Sequence, residues 1–114
     1  MSEKPIKFRH LYYKLAYDEF TTIRGKAKFK RLKIGTKIWV ETPAERFEAM
    51  ITGLELKRVA DMGLDFLKAD AEYPGLVIEC PLDFVTLLNS FRAPAWTQVA
   101  LDSELTIITL KRII

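Results

Sequence analysis

The sequence predicts a small α+β domain: a mostly antiparallel β-barrel with two or three short flanking helices. Three observations carry that expectation. Ile38 and Val40 alternate with Lys37, Trp39 and Glu41, the period of a strand with one buried face, and Thr42-Pro43 then turns the chain into a second alternating run through Phe47, Ala49 and Ile51. Apolar residues recur at helical spacing over residues 62–70 and 81–90. The chain closes on residues 105–114, a β-branched and almost continuously apolar run that suits a strand buried on both faces. At 114 residues a single domain spanning 1–114 is expected, long enough to hold a core without staples.

In chain order, Phe8, Leu11, Tyr12 and Leu15 fall at helical spacing and predict a short helix over residues 8–15, with a strand left open by the aromatic content. Thr21, Thr22 and Ile23 are β-branched and favour extended backbone, and Gly25 lets the chain turn directly after Arg24. Ile34-Gly35-Thr36 reads as a turn into the strand at 37–41. Pro43 is awkward inside a ladder, which places the reversal there. The return strand runs over 46–51, and Gly53 marks a bulge before strand resumes over 54–59. Leu64, Phe66 and Leu67 give the helix at 62–70 a buried side, and Pro74-Gly75 breaks the chain beyond it. Pro81 suits a first helical turn, Asp83 favours the N-terminal dipole, and Phe84, Leu87, Leu88 and Phe91 make the apolar stripe of the next helix.

Charge is unevenly spread. Seven of the 18 Lys and Arg residues fall between positions 24 and 37, a stretch without an acid, so the rest of the chain carries fewer cations than its 15 acids. A net charge of +3 is therefore a local basic field on a slightly acidic background, and such a field attracts phosphate. Cys80 is the only cysteine and His10 the only histidine, so an internal disulfide and the usual structural zinc sites cannot be assembled; no cofactor or metal is expected. No apolar stretch of about 18 residues occurs and the first residues lack the apolar centre of a secretory signal, which predicts a cytoplasmic protein with no membrane partner. No P-loop for nucleoside triphosphates is present.

Four segments in order, Tyr12-Tyr13-Lys14-Leu15-Ala16-Tyr17, Phe20-Thr21-Thr22-Ile23-Arg24, Leu32-Lys33-Ile34-Gly35-Thr36-Lys37-Ile38 and Leu105-Thr106-Ile107-Ile108-Thr109-Leu110, resemble an ASCH domain of the PUA-like superfamily. The resemblance spans most of the chain. It implies a PUA-like barrel and an RNA-related role, with RNA or a modified base held in a cleft beside the barrel. Some ASCH proteins resemble small hydrolases instead, among them acetylcytidine amidohydrolases and a ribonuclease type, and in the amidohydrolases a lysine, a threonine and a glutamate do the work. Matching on Thr-Ile-Arg puts Thr22 at the threonine but Glu19 where the lysine belongs, and the acid falls near Asp70 or Glu72. A carboxylate cannot inherit the lysine's electrostatic role, so Lys14 or Lys26 would have to reach the site in its stead. Thr36 stands where the family usually has aspartate.

The expected function is thus RNA or nucleotide binding in a basic cleft, through Thr21, Thr22, Arg24, Lys26, Lys28, Lys30, Arg31, Lys33 and Trp39. The alternative is a small hydrolase of a modified nucleoside or RNA, with Thr22, Lys26 and Glu72 as its catalytic set; Asp70 or Glu72 facing Thr22 across a cleft is the arrangement that serves hydrolysis. Each assignment has a plainer rival. The lysine run can be a solvated loop, Arg24 a structural partner of Asp18, Glu19 or a distant acid, and the threonines turn caps. Trp39, Trp96, Tyr17 and Tyr73 can stack on bases or simply pack a core. A third reading is protein contact through residues 91–96 or the apolar pair Ile113-Ile114. Oligomeric state is not legible.

Overall fold

Five strands form in the computed structural model, which describes residues 5–90 and 98–113. They are β1 (Ile6–Lys7), β2 (Glu19–Arg24), β3 (Lys37–Glu41), β4 (Arg46–Arg58) and β5 (Glu104–Arg112). Three short α-helices accompany them: α1 (Lys28–Arg31), α2 (Leu64–Ala71) and α3 (Pro81–Ser90). One-turn 3-10 helices occupy Tyr13–Ala16 and Val59–Asp61. The expected segments at 91–96 and the final Ile114 lie outside the described residues.

The strands lie in the order β1-β3-β4-β5-β2 as one curled sheet, a half-barrel. All neighbours are antiparallel except β1 and β3, which run parallel. The expected barrel is corrected here: the sheet is open, because its two edge strands, β1 and β2, do not pair. β1 is only two residues long and offers too little ladder to close a ring. A side chain crosses the seam instead, Arg24 Nη2 donating to the Lys7 carbonyl at 3.0 Å.

Local chemistry accounts for the elements. In β3, Ile38 and Val40 are buried while Lys37 and Trp39 are exposed. The Thr42 hydroxyl accepts from the Ala44 and Glu45 backbone N–H groups, at 3.2 and 3.0 Å, and holds the turn around Pro43. β4 is continuous over 13 residues, with its register against β5 slipping between Ile51 and Gly53. A Cβ on Gly53 would meet Thr109 Oγ1 at 3.0 Å, so a side chain is unwelcome where the bulge brings the strands together. Gly35 has φ +93°, a left-handed conformation open to glycine, and its N–H donates to Ile51 O at 2.7 Å, which ties the turn to the sheet. At the start of α3, the Asp83 carboxylate accepts from the Glu79 and Cys80 N–H groups, satisfying donors the helix leaves unpaired.

The helix expected over 8–15 is not formed. Phe8 N–H donates to Glu41 O at 2.8 Å, continuing the parallel pairing of β1, and Phe8 and Tyr12 meet edge to face with centroids 5.7 Å apart. Both groups serve the sheet, and only Tyr13–Ala16 turns, as a 3-10 helix.

Two apolar cores flank the sheet. Phe8, Phe20, Val40, Ile51, Ile108 and Leu110 belong to one, inside the curl. Ile23, Leu67, Ile78, Phe84, Leu105 and Ile107 belong to the other, beneath α2 and α3. β5 thus feeds both cores by simple alternation, which is why its sequence is nearly all apolar.

Candidate functional site

Alternation along β2 decides what reaches the seam. Thr22 pairs across with Ile108 and Phe20 with Leu110, so Phe20, Thr22 and Arg24 share the face inside the curl. Thr21 and Ile23 point the other way, toward α2. Between β2, the residues after β1 and the two longer helices lies a cavity of about 570 Å³. Lys7, Phe8, Arg9 and Tyr12 form one wall; Thr22, Ile23, Arg24 and Gly25 form the opposite one; Lys14, Asp70 and Ala71 lie deeper, and Phe84, Leu87, Leu88 and Leu105 supply an apolar side.

A charged pair sits at its base. Lys14 is 7% exposed and Asp70 5%, and Lys14 Nζ donates to Asp70 Oδ1 at 3.1 Å. The Thr21 hydroxyl donates to the same oxygen at 2.7 Å. Asp70 Oδ2 receives no donor from the described residues. Burial pushes the Lys14 amine below the usual lysine range, with Asp70 pulling it back up and Arg24 adding to the depression. The ammonium also lies 5.0 Å from the Phe8 ring centroid and 5.2 Å from that of Tyr12, within reach of both π-faces. Burial raises the Tyr12 phenol to about 12, helped by Tyr73 and Asp70.

Arg24 is held on three sides. Nε donates to Thr22 Oγ1 at 3.0 Å, Nη2 to the Lys7 carbonyl, and the guanidinium carbon stands 5.2 Å from the Phe8 centroid. Burial lowers its pKa while Asp70 raises it, and a guanidinium remains a cation throughout the working range. Thr22 is 3% exposed and accepts from Arg24, so its own hydroxyl proton remains available to a ligand. The cavity therefore presents donors from Lys14, Thr22 and Arg24 and an acceptor in Asp70, beside an apolar and aromatic wall.

The structure gathers some of the sequence-predicted residues and separates others. Thr22 and Arg24 line the cavity, and Thr21 braces its base through Asp70. Lys26 does not line it; its ammonium pairs with Glu104 at 3.1 Å on the surface. Glu72 turns away as well. Its carboxylate accepts from Ile78 N–H at 2.7 Å and from Lys68 at 3.1 Å, contacts that hold its pKa down, and it lines a separate cavity of about 410 Å³ with Tyr13, Tyr17 and Glu19. The lysine that arrives is Lys14 and the acid is Asp70. Lys28, Lys30 and Arg31 ride on α1 and Lys33 comes just after it, outside the cavity lining. Trp39 is 43% exposed on the outer face of β3, with the Arg46 guanidinium 4.5 Å from its ring centroid. Tyr73 is stacked on His10 at 4.0 Å between centroids. Trp96 lies outside the described residues. Sequence reasoning missed Phe8 and Tyr12 as cavity walls, having placed them on a helix. Among the described residues no three of His, Cys, Asp and Glu converge as metal ligands, and no helix is long and apolar enough to cross a membrane.

Fold and site together define a half-barrel α+β domain with a charged cavity at its open seam. Over 110 residues the chain is 43% identical to the uncharacterized protein MJ0364 of Methanocaldococcus jannaschii, covering 95% of each, and it belongs to the same family as that protein. No family model matches the chain, and no solved structure does.

Proposed function

We propose that this domain, as a PUA-like module of the ASCH type, binds a nucleotide or an unpaired RNA base in the seam cavity. The observation that supports it is the cavity itself: a volume in the range of small-ligand sites, one apolar and aromatic side, and a few convergent polar groups of both hydrogen-bonding senses. A heteroaromatic base has the flat apolar faces and the mixed donor and acceptor edge that such a lining fits. The lysines of α1 then serve any longer RNA as a phosphate-attracting flank rather than as the cleft wall. On this reading the protein works in the cytoplasm. Short unstructured RNAs titrated at low salt into isotopically labelled protein should shift the resonances of Thr22, Arg24 and Tyr12; an absence of shifts there for every RNA and nucleotide tried refutes the reading.

The buried Lys14–Asp70 pair favours a second reading, hydrolysis of an amide on a modified nucleoside. Burial favours the neutral amine of Lys14 more than solvent does for an exposed lysine, the direction a proton acceptor requires. In that scheme a water adds to the amide carbonyl and gives its proton to the Lys14–Asp70 pair. The Thr22 hydroxyl and Arg24 stabilise the oxygen that becomes negative, and the carbon–nitrogen bond then breaks as the amine leaves with the proton. Acetate release from an N-acetylated cytidine that disappears in Lys14→Met and falls at least a hundredfold in Thr22→Ala supports this. Equal rates in the two variants and the natural protein exclude it.

A further inference from the structure

The charges in the seam cavity do not cancel within the described residues. Lys14 is answered by Asp70. Arg24, mostly buried beside it, forms no ion pair with any carboxylate of the described residues; its partners are a hydroxyl, a backbone carbonyl and a ring. Two of its three nitrogens are committed to those partners, and Nη1 has none among the described residues. The acid that offsets its burial, Asp70, acts on it at a distance while bonding to Lys14 and Thr21, so one carboxylate answers two cations of the cavity. The cavity that Arg24 lines also carries Lys7, whose ammonium lies 3.9 Å from Glu41, and Lys14, and among the described lining residues Asp70 is the one acid.

We propose that Arg24 is the receptor for a phosphate group of the cavity's ligand, so that the domain selects nucleotides over the corresponding nucleosides. This deepens the nucleotide-binding reading above and rests on it. The contacts of Nε and Nη2 fix the plane of the guanidinium and leave Nη1 without a partner among the described residues, and a fork held in this way is the directed geometry in which arginine surpasses lysine for phosphate oxygens. Lys7 lines the exposed rim, with its ammonium 3.9 Å from a Glu41 oxygen. The basic run on α1 is not needed for this selection, since it does not line the cavity.

The test compares the four ribonucleosides with their 5′-monophosphates and with RNA trinucleotides lacking terminal phosphates, by calorimetry at constant ionic strength. A monophosphate binding at least tenfold more tightly than its nucleoside, with that advantage falling below threefold in Arg24→Gln, supports the proposal. The trinucleotides separate two sources of the phosphate: an equal advantage points to an RNA backbone, and its absence to a free nucleotide or a chain end. Equal binding of nucleoside and monophosphate overturns the proposal and leaves the nucleotide cavity standing; binding by neither overturns both. Because Arg24 also bridges the seam, its substitution can unfold the domain. The guanidinium ¹⁵N resonances of the natural protein therefore provide an independent reading. Their displacement by monophosphate and not by nucleoside supports the assignment, and their indifference to monophosphate overturns it.

Discussion

Replacing Asp70 by Asn tests whether the base of the cavity is built as described. The substitution keeps the shape and an acceptor oxygen for Thr21 but removes the counter-charge of Lys14, which is only 7% exposed. Stripping one partner from a buried pair costs about 3–5 kcal/mol when the remaining charge cannot escape. Lys14 has one escape, loss of its proton, and without Asp70 its pKa falls further, since Asp70 is what raises it. The penalty is thus expected near 3 kcal/mol in mildly acidic buffer, or roughly 10–18 °C in Tm for a domain of this size, and smaller in alkali. Proton counting gives the sign. The unfolded chain holds the lysine proton up to its ordinary pKa of 10.5 while the folded chain releases it earlier, so stability rises with pH across the interval between the two values. Urea denaturation at several pH values measures this. The double variant Lys14→Met, Asp70→Asn should recover at least half the loss and show no such rise. A single variant costing under about 1 kcal/mol at every pH, or a double variant no better than the sum of its parts, refutes the account of a buried, mutually dependent pair.

Tyr12 offers a second pH test: one of the four tyrosines should ionise late, near 12, in an ultraviolet titration, and Tyr12→Phe should abolish that step. Because the folded phenol keeps its proton above the ordinary value of 10.0, stability contributed by Tyr12 is present below 10.0 and lost as pH climbs toward 12, a fall absent from Tyr12→Phe. Gly53→Ala should destabilise by about 1 kcal/mol through crowding against Thr109, and Thr109→Ala in the same chain should relieve most of it in chemical denaturation. Replacing Lys28, Lys30 and Lys33 together by Ala should leave stability within about 0.5 kcal/mol and mononucleotide affinity unchanged. The same triple variant should lower the salt slope for single-stranded RNA by about 0.7 per lost contact; weakened mononucleotide binding would place those lysines at the cavity after all.

Local patterns in the sequence located those elements whose cause is local. The strand at 37–41 comes from the alternation of Ile38 and Val40, α3 from Pro81 and its apolar stripe, and the bulge from Gly53. The near-continuous apolar run of β5 announced a strand between two cores. Hidden from the sequence was whatever depends on distant partners. Phe8 and Tyr12 fit a helix by spacing, yet a parallel bond to Glu41 and an aromatic contact claim them for the seam. α1, a single turn of basic residues without a buried side chain, has no apolar period to reveal it. Lys14 and Asp70 are 56 positions apart, and nothing near Lys14 distinguishes it from a solvated lysine. Glu72 looked equivalent to Asp70 along the chain, but their positions on α2 and just beyond it send one into the cavity and the other to Lys68.

The two edges of the half-barrel are anchored very unequally. β2 is fastened to β5 over six residue pairs, whereas β1 meets β3 over two, extended by one bond from Phe8. One side of the cavity mouth is consequently stiff and the other compliant. A guest too large for the resting width would be admitted by displacement of the Lys7–Phe8 side, at the expense of the bond from Arg24, while Thr22 kept its place. Amide exchange faster at Phe8 than along β2, and slowed selectively by a ligand, would be the mark of a mouth that fits its occupant by flexing on one hinge.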